Sequence, residues 1–158
     1  MLGLLLVLST LGGCASSEKQ VAQAHRRAIE NARNDSQAML STFSRVVGTT
    51  RDPEKALVAL RELLAPDSEL NRGGYQILLT DSGRQADLIT IEIAVFDYSQ
   101  GYGAVGDLDF WAELCVLMSG RRATPPQVTA TEVDCPAQRP PGLRTPRIDV
   151  VVTPSPRR

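Results

Sequence analysis

The chain has 158 residues, 42% of them hydrophobic and 22% charged, with a net charge of −1. Such a length and balance suit one globular domain with a modest core and exclude a general affinity for nucleic acid. The charge is uneven, because five arginines against one aspartate from Pro136 onward give that segment +4 and leave −5 before it. Of 17 basic residues only Lys19 and Lys55 are lysine, a bias typical of GC-rich coding sequences.

The run Leu2 to Leu11 is almost wholly apolar, about half the roughly 20 residues a helix needs to cross a bilayer. It reads as the h-region of a signal peptide. No Lys or Arg precedes Lys19, so the positive segment expected before an h-region is missing, which points to a true start upstream of Met1. Leu11-Gly12-Gly13-Cys14 follows directly and resembles the bacterial lipobox. That resemblance implies that Cys14 becomes the amino terminus and carries a diacylglyceryl thioether and an amide-linked acyl chain. Two or three chains hold a protein on a membrane where one is marginal. The division expected is a lipoprotein signal peptide (1–13), a lipid-anchored helical stalk (14–35), an α+β domain (36–135) and a Pro/Arg-rich tail (136–158).

Ser17-Glu18-Lys19-Gln20 has the form of a capping box and predicts a helix start. Val21, His25, Ala28, Ala32, Met39, Phe43 and Val46 then recur near one face, with the large apolar residues confined to the second half. The first half is therefore expected to be solvated and to hold the rest of the domain away from the membrane, with Asn34-Asp35-Ser36 as a place to kink or restart. Gly48 ends this helix. Asp52 caps a second, Pro53 takes its first position, Leu57, Leu60, Leu63 and Leu64 form its apolar face, and Pro66 stops it.

Asn71-Arg72-Gly73-Gly74 and Asp81-Ser82-Gly83 are turn signals that bracket a strand over 75–80. Alternation over 88–96 puts Ile89, Ile91, Ile93 and Val95 on one face, with Thr90, Glu92, Ala94, Phe96 and Tyr98 on the other. A loop over 99–106 leads to a strand over 107–118, with Phe110, Ala112, Leu114, Val116 and Met118 on one side and Trp111, Glu113, Cys115 and Leu117 opposite. A turn near Pro125 and a strand over 128–134 bring Cys135 across from Cys115. Three cysteines less the lipidated one leave this pair for a disulfide, closing a loop of about 20 residues for roughly 3 kcal/mol. A zinc site would have only His25 to add, without Cys-x-x-Cys spacing. Beyond Pro136 the prolines allow at most one short edge strand.

Helices followed by strands predict an α+β fold: two N-terminal helices packed on one face of an antiparallel β-meander of about four strands. Cystatin-like and nuclear-transport-factor-like folds have a similar element order. The residues Leu114-Cys115-Val116 and Val133-Asp134-Cys135-Pro136 on such a frame also resemble small secreted lipoproteins of high-GC bacteria, a resemblance that implies no activity or cofactor.

Chemistry has few candidates. His25 is the only histidine, lies on a polar helix and has no Gly-x-Ser-x-Gly partner, so it reads as solvated. Asp97, Asp107 and Asp109 flank the glycine-rich loop and are the sole cluster available to a hydrolase, without the order of a calcium loop. Gly101, Gly103 and Gly106 follow a strand with no helix after them and make no nucleotide cradle. Tyr98, Tyr102 and Trp111, on a chain with 4% aromatic residues, suit a contact surface. The expected protein is a non-catalytic binding or assembly module without metal or cofactor. It would be lipid-anchored on the extracytoplasmic side of the cell membrane, with an envelope protein as partner. The alternatives are a small-ligand cavity between helices and sheet, and the aspartate-based hydrolase.

Overall fold

The continuous small-residue spacing of the first helix governs the architecture. In the computed structural model, which describes residues 12–65, 68, 71, 76–103, 106–136 and 148–154, helix α1 runs unbroken over Gly12–Thr49, about 57 Å long. Side chains of 12–17 and 101–108 are not among those described, and residues 1–11 of the segment expected as a signal peptide, positions 72–74 of the expected turn and most of the expected tail lie outside the described residues. The helix starts before Ser17 and continues through Asn34-Asp35-Ser36, where the Ser36 hydroxyl donates to the Arg33 carbonyl at 2.7 Å.

Its buried stripe is longer than the large apolar residues announce. Ala24, Ala28, Ala32 and Ser36 are buried as well as Met39, Phe43 and Val47. Alanine removes little area from water, but it lets a helix lie close to a sheet. The expected solvated stalk is thus docked from Ala24 onward.

Helix α2, Pro53–Leu63, has the cap its sequence requires: an Asp52 Oδ1 accepts from the Glu54 amide at 2.9 Å, satisfying one of the free donors of the first turn. Ala56, Leu57 and Leu60 are its buried face.

Strands β1 (Gln76–Gln85), β2 (Leu88–Gly103), β3 (Gly106–Arg121) and β4 (Gln127–Val133) form an antiparallel meander in sequence order. A fifth, β5 (Val150–Val151), pairs parallel with β3 at Ala112 and Glu113. Two expectations need correction. Asp81-Ser82-Gly83 is strand, since a register shift between Leu79 and Asp81 absorbs the extra residue. The true turn is Ala86-Asp87, with Ala86 at φ 54°. The glycine-rich segment 99–106 is largely strand too, because β2 and β3 stay paired up to Gly103 opposite Gly106.

The register sorts the side chains into two sets. Ile91 faces Met118, Ile93 faces Val116 and Val95 faces Leu114, and these belong to one buried cluster with Phe43, Val47, Leu57, Leu60 and Ile77. Phe43 lies so close to Gly120 that a Cβ there would stand 2.7 Å from its ring. The opposite face carries a smaller cluster of Leu78, Ala94, Phe96 and Cys115, flanked by Trp111, Val133, Cys135 and Ile148. Cys115 and Cys135 are bonded, with Cα atoms 5.2 Å apart. Cys115 is paired with Val133 in the ladder, so Cys135 reaches back diagonally from just beyond β4.

Candidate functional site

Among the described residues β1 pairs with β2 as far as Phe96 and β4 with β3 as far as Cys115, and beyond these points β2 and β3 continue to pair with each other. Seven further residue pairs, from Asp97 opposite Ala112 to Gly103 opposite Gly106, make a two-stranded arm about 23 Å long. Its base is pinned by the returning chain. The Trp111 amide donates to Asp149 Oδ2 at 3.0 Å, the Asp149 amide to the Trp111 carbonyl at 3.1 Å, and the Val152 amide to the Glu113 carbonyl at 2.8 Å. Residues 148–152 therefore belong to the sheet, and the tail expected from Pro136 is interrupted by them.

One face of the arm lies under α1. His25 meets Phe110 edge to face, with ring centroids 4.6 Å apart, and Asn31 Nδ2 donates to the Tyr98 carbonyl at 3.3 Å. The reading of His25 as a solvated residue is corrected by that ring contact. Farther along, Arg33 grips Glu132 of β4 through Nε at 2.9 Å and Nη2 at 3.3 Å, a fork geometry that orients better than a single bond.

Just past Arg33, Asp35 of α1 meets Asp97 of β2. Burial pushes the Asp35 carboxyl up, opposed in part by its hydrogen bond with Asp97. Asp97 is pushed up to about 6, first by burial; the Tyr98 amide, donating at 2.6 Å, opposes this, while the charge and hydrogen bond of Asp35 add to it. Two carboxyls share a hydrogen bond only while one holds a proton. Without that proton the buried Asp35 Oδ2 has no partner.

On the other face Tyr98, Gln100 and Asp109 are exposed and Trp111 is half-buried. Tyr98 is 37% exposed and sits across the ladder from Trp111 with ring centroids 5.2 Å apart and planes at 33°. Tyr102 pairs through its backbone with Asp107; its side chain is outside those described.

The aspartate cluster is not assembled as the sequence implied. Asp97 pairs with Ala112 and Asp109 with Gln100, three residues along the strand, which puts them on opposite faces. Asp97 lies against α1 and Asp109 is exposed. The Glu113 carboxylate stands within 4.8 Å of both Cys115 and Cys135 sulfurs, but a disulfide offers no thiolate to a metal. A shallow open depression at the far end of the sheet is lined by Leu88, Gly120, Arg121, Pro126 and Val128 among others, and Arg121 is the one titratable group lining it among the described residues.

No protein family, characterised protein or solved structure matches this chain. The geometry alone therefore ranks the candidates. Sequence reasoning named Tyr98 and Trp111 as contact candidates without pairing them, and it missed the carboxyl pair and the Arg33–Glu132 fork. The signal for both was Asn31, Arg33 and Asp35 beside a run of alanines four apart on one helix.

Proposed function

We propose that the chain is a lipid-anchored envelope protein that acts by binding, with the Tyr98–Trp111 pair at the centre of its contact with an envelope protein. The observation that carries this reading is the exposed Tyr98 stacked on Trp111, on the arm face that α1 leaves open. Rigid aromatic pairs supply contact area at low entropic cost. In the same reading the two helices form one layer on one face of the meander, supported by the shared cluster of Phe43, Leu60, Ile91 and Met118. That packing also weighs against a ligand cavity between helices and sheet. Separation of Asp97 from Asp109 weighs against the hydrolase.

A photoreactive amino acid at position 98, with the exposed Val58 of α2 as the control position, tests this in intact cells. A discrete crosslinked protein is expected from position 98 and not from 58. Equal yields from both, or none from 98, would refute the contact.

A further inference from the structure

Three side chains meet on the face of the sheet that carries the smaller apolar cluster. Glu113 and Cys115 stand two residues apart on β3 and so point to the same side. Glu113 pairs with Val151 of β5 and Cys115 with Val133 of β4, while β2 pairs along the other edge of both. β4 and β5 thus follow one another along one edge of β3, and Cys135 lies where the chain leaves β4. A carboxylate oxygen of Glu113 and the two sulfurs all lie within 4.8 Å of one another. Glu113 and Cys115 are buried and Cys135 is half-buried. A disulfide staple needs no carboxylate beside it, whereas two thiolates and a carboxylate are a zinc ligand set. The sequence offered only His25 as a third ligand, but His25 lies over Phe110, three residues from Glu113 along β3 and hence on the opposite face.

We propose that Glu113, Cys115 and Cys135 are a zinc site masked by the disulfide: closed, the pair ties β3 to the end of β4; opened, the same three side chains hold one zinc ion. The proposal is independent of the contact at Tyr98. A dithiol reductant opens the bond. One of its thiolates attacks Cys135, the more exposed sulfur, the S–S bond breaks, and its second thiolate then resolves the mixed disulfide. The dithiol is oxidised to a disulfide, and its two electrons and two protons leave Cys115 and Cys135 as thiols. Zinc binding releases both protons to solvent and forms two Zn–S bonds and one Zn–O bond, with water in the fourth position. Ligands about 2.1–2.3 Å from a tetrahedral ion stand about 3.5–3.8 Å from one another. The carboxylate therefore needs little movement, and side-chain rotation separates the freed sulfurs. Its oxygen also favours zinc over copper(I), which sulfur ligands alone would suit.

The test takes the native chain, reduced with a phosphine under nitrogen and titrated with Cd2+, whose thiolate complexes absorb in the ultraviolet. Reduced protein is expected to take up one Cd2+ per chain, to exchange it for Zn2+, and to bind neither after reoxidation. X-ray absorption of the zinc-loaded chain should find two sulfurs, with oxygen completing the shell. Glu113→Gln should weaken zinc binding by at least about tenfold. No uptake by the reduced protein, uptake that survives reoxidation, a third sulfur, or a shell without sulfur would each overturn the site. So would a Glu113→Gln variant that binds as tightly as the native chain. Where that variant fails to fold, the carboxylate bands of the unsubstituted chain decide: an infrared difference spectrum without a shift on zinc binding removes Glu113 as a ligand.

Discussion

Replacing Asp97 by asparagine should stabilise the protein at neutral pH, although it removes one of the few buried polar partners of α1. In the native chain Asp97 titrates at about 6, against about 3.9 for an unfolded aspartate. The folded state therefore holds a proton that the unfolded state has lost across this window. A group raised in this way contributes fully below about pH 4, and its contribution is lost as pH climbs through about 6. The shift corresponds to about 3 kcal/mol for a fully buried group, and solvent screening of this partly exposed carboxyl reduces it to about 1–1.5 kcal/mol. Asparagine keeps an oxygen for the Tyr98 amide and supplies, at every pH, the donor that Asp35 Oδ2 lacks when both carboxyls are ionised. Urea unfolding of both proteins between pH 4.5 and 7.5 measures the difference. The two curves should nearly coincide at the acid end and separate to about 1 kcal/mol in favour of Asp97→Asn at pH 7.5. A variant equally destabilised at every pH would show that Asp35 and Asp97 do not share a proton, and the account of the α1–β2 contact would fail.

Cys115→Ser with Cys135→Ser should lower stability by about 2–4 kcal/mol with the far-UV circular dichroism unchanged; free thiols in the envelope-extracted native protein would remove the premise. Gly120→Ala should cost about 1–3 kcal/mol by overpacking, since the added methyl meets Phe43 and Val128; a neutral result in thermal unfolding would mean that α1 gives way there. Tyr98→Ala should weaken co-purification of the protein crosslinked from position 98 while changing stability by under about 1 kcal/mol, and a large loss of stability would assign Tyr98 to packing.

Much of the sheet was legible because alternation is a direct record of burial. Ile89, Ile91, Ile93 and Val95 are buried on one face, opposite Leu114, Val116 and Met118. The α2 cap was equally local, being set by Asp52 and Pro53 alone. What escaped was set by partners distant in sequence. Residues 99–103 read as loop because glycine, serine and glutamine have weak strand preference, yet pairing with β3 holds them extended. Ala24, Ala28 and Ala32 carry too little apolar area to mark a face, although close approach needs small residues there. The Asp35–Asp97 meeting depends on how far α1 slides along the arm, which no local pattern encodes. Tyr98 and Trp111 were legible as contact candidates, but their pairing depends on the hairpin register and their exposure on which face α1 occupies.

The acylation of Cys14 is the point on which the anchored reading turns, and intact mass spectrometry of protein extracted from the native envelope tests it most directly. The protein should be expressed from its native gene. The account predicts a mature chain beginning at Cys14 with diacylglyceryl and acyl groups added. A mature chain that retains Met1, or begins at any other residue, would contradict it.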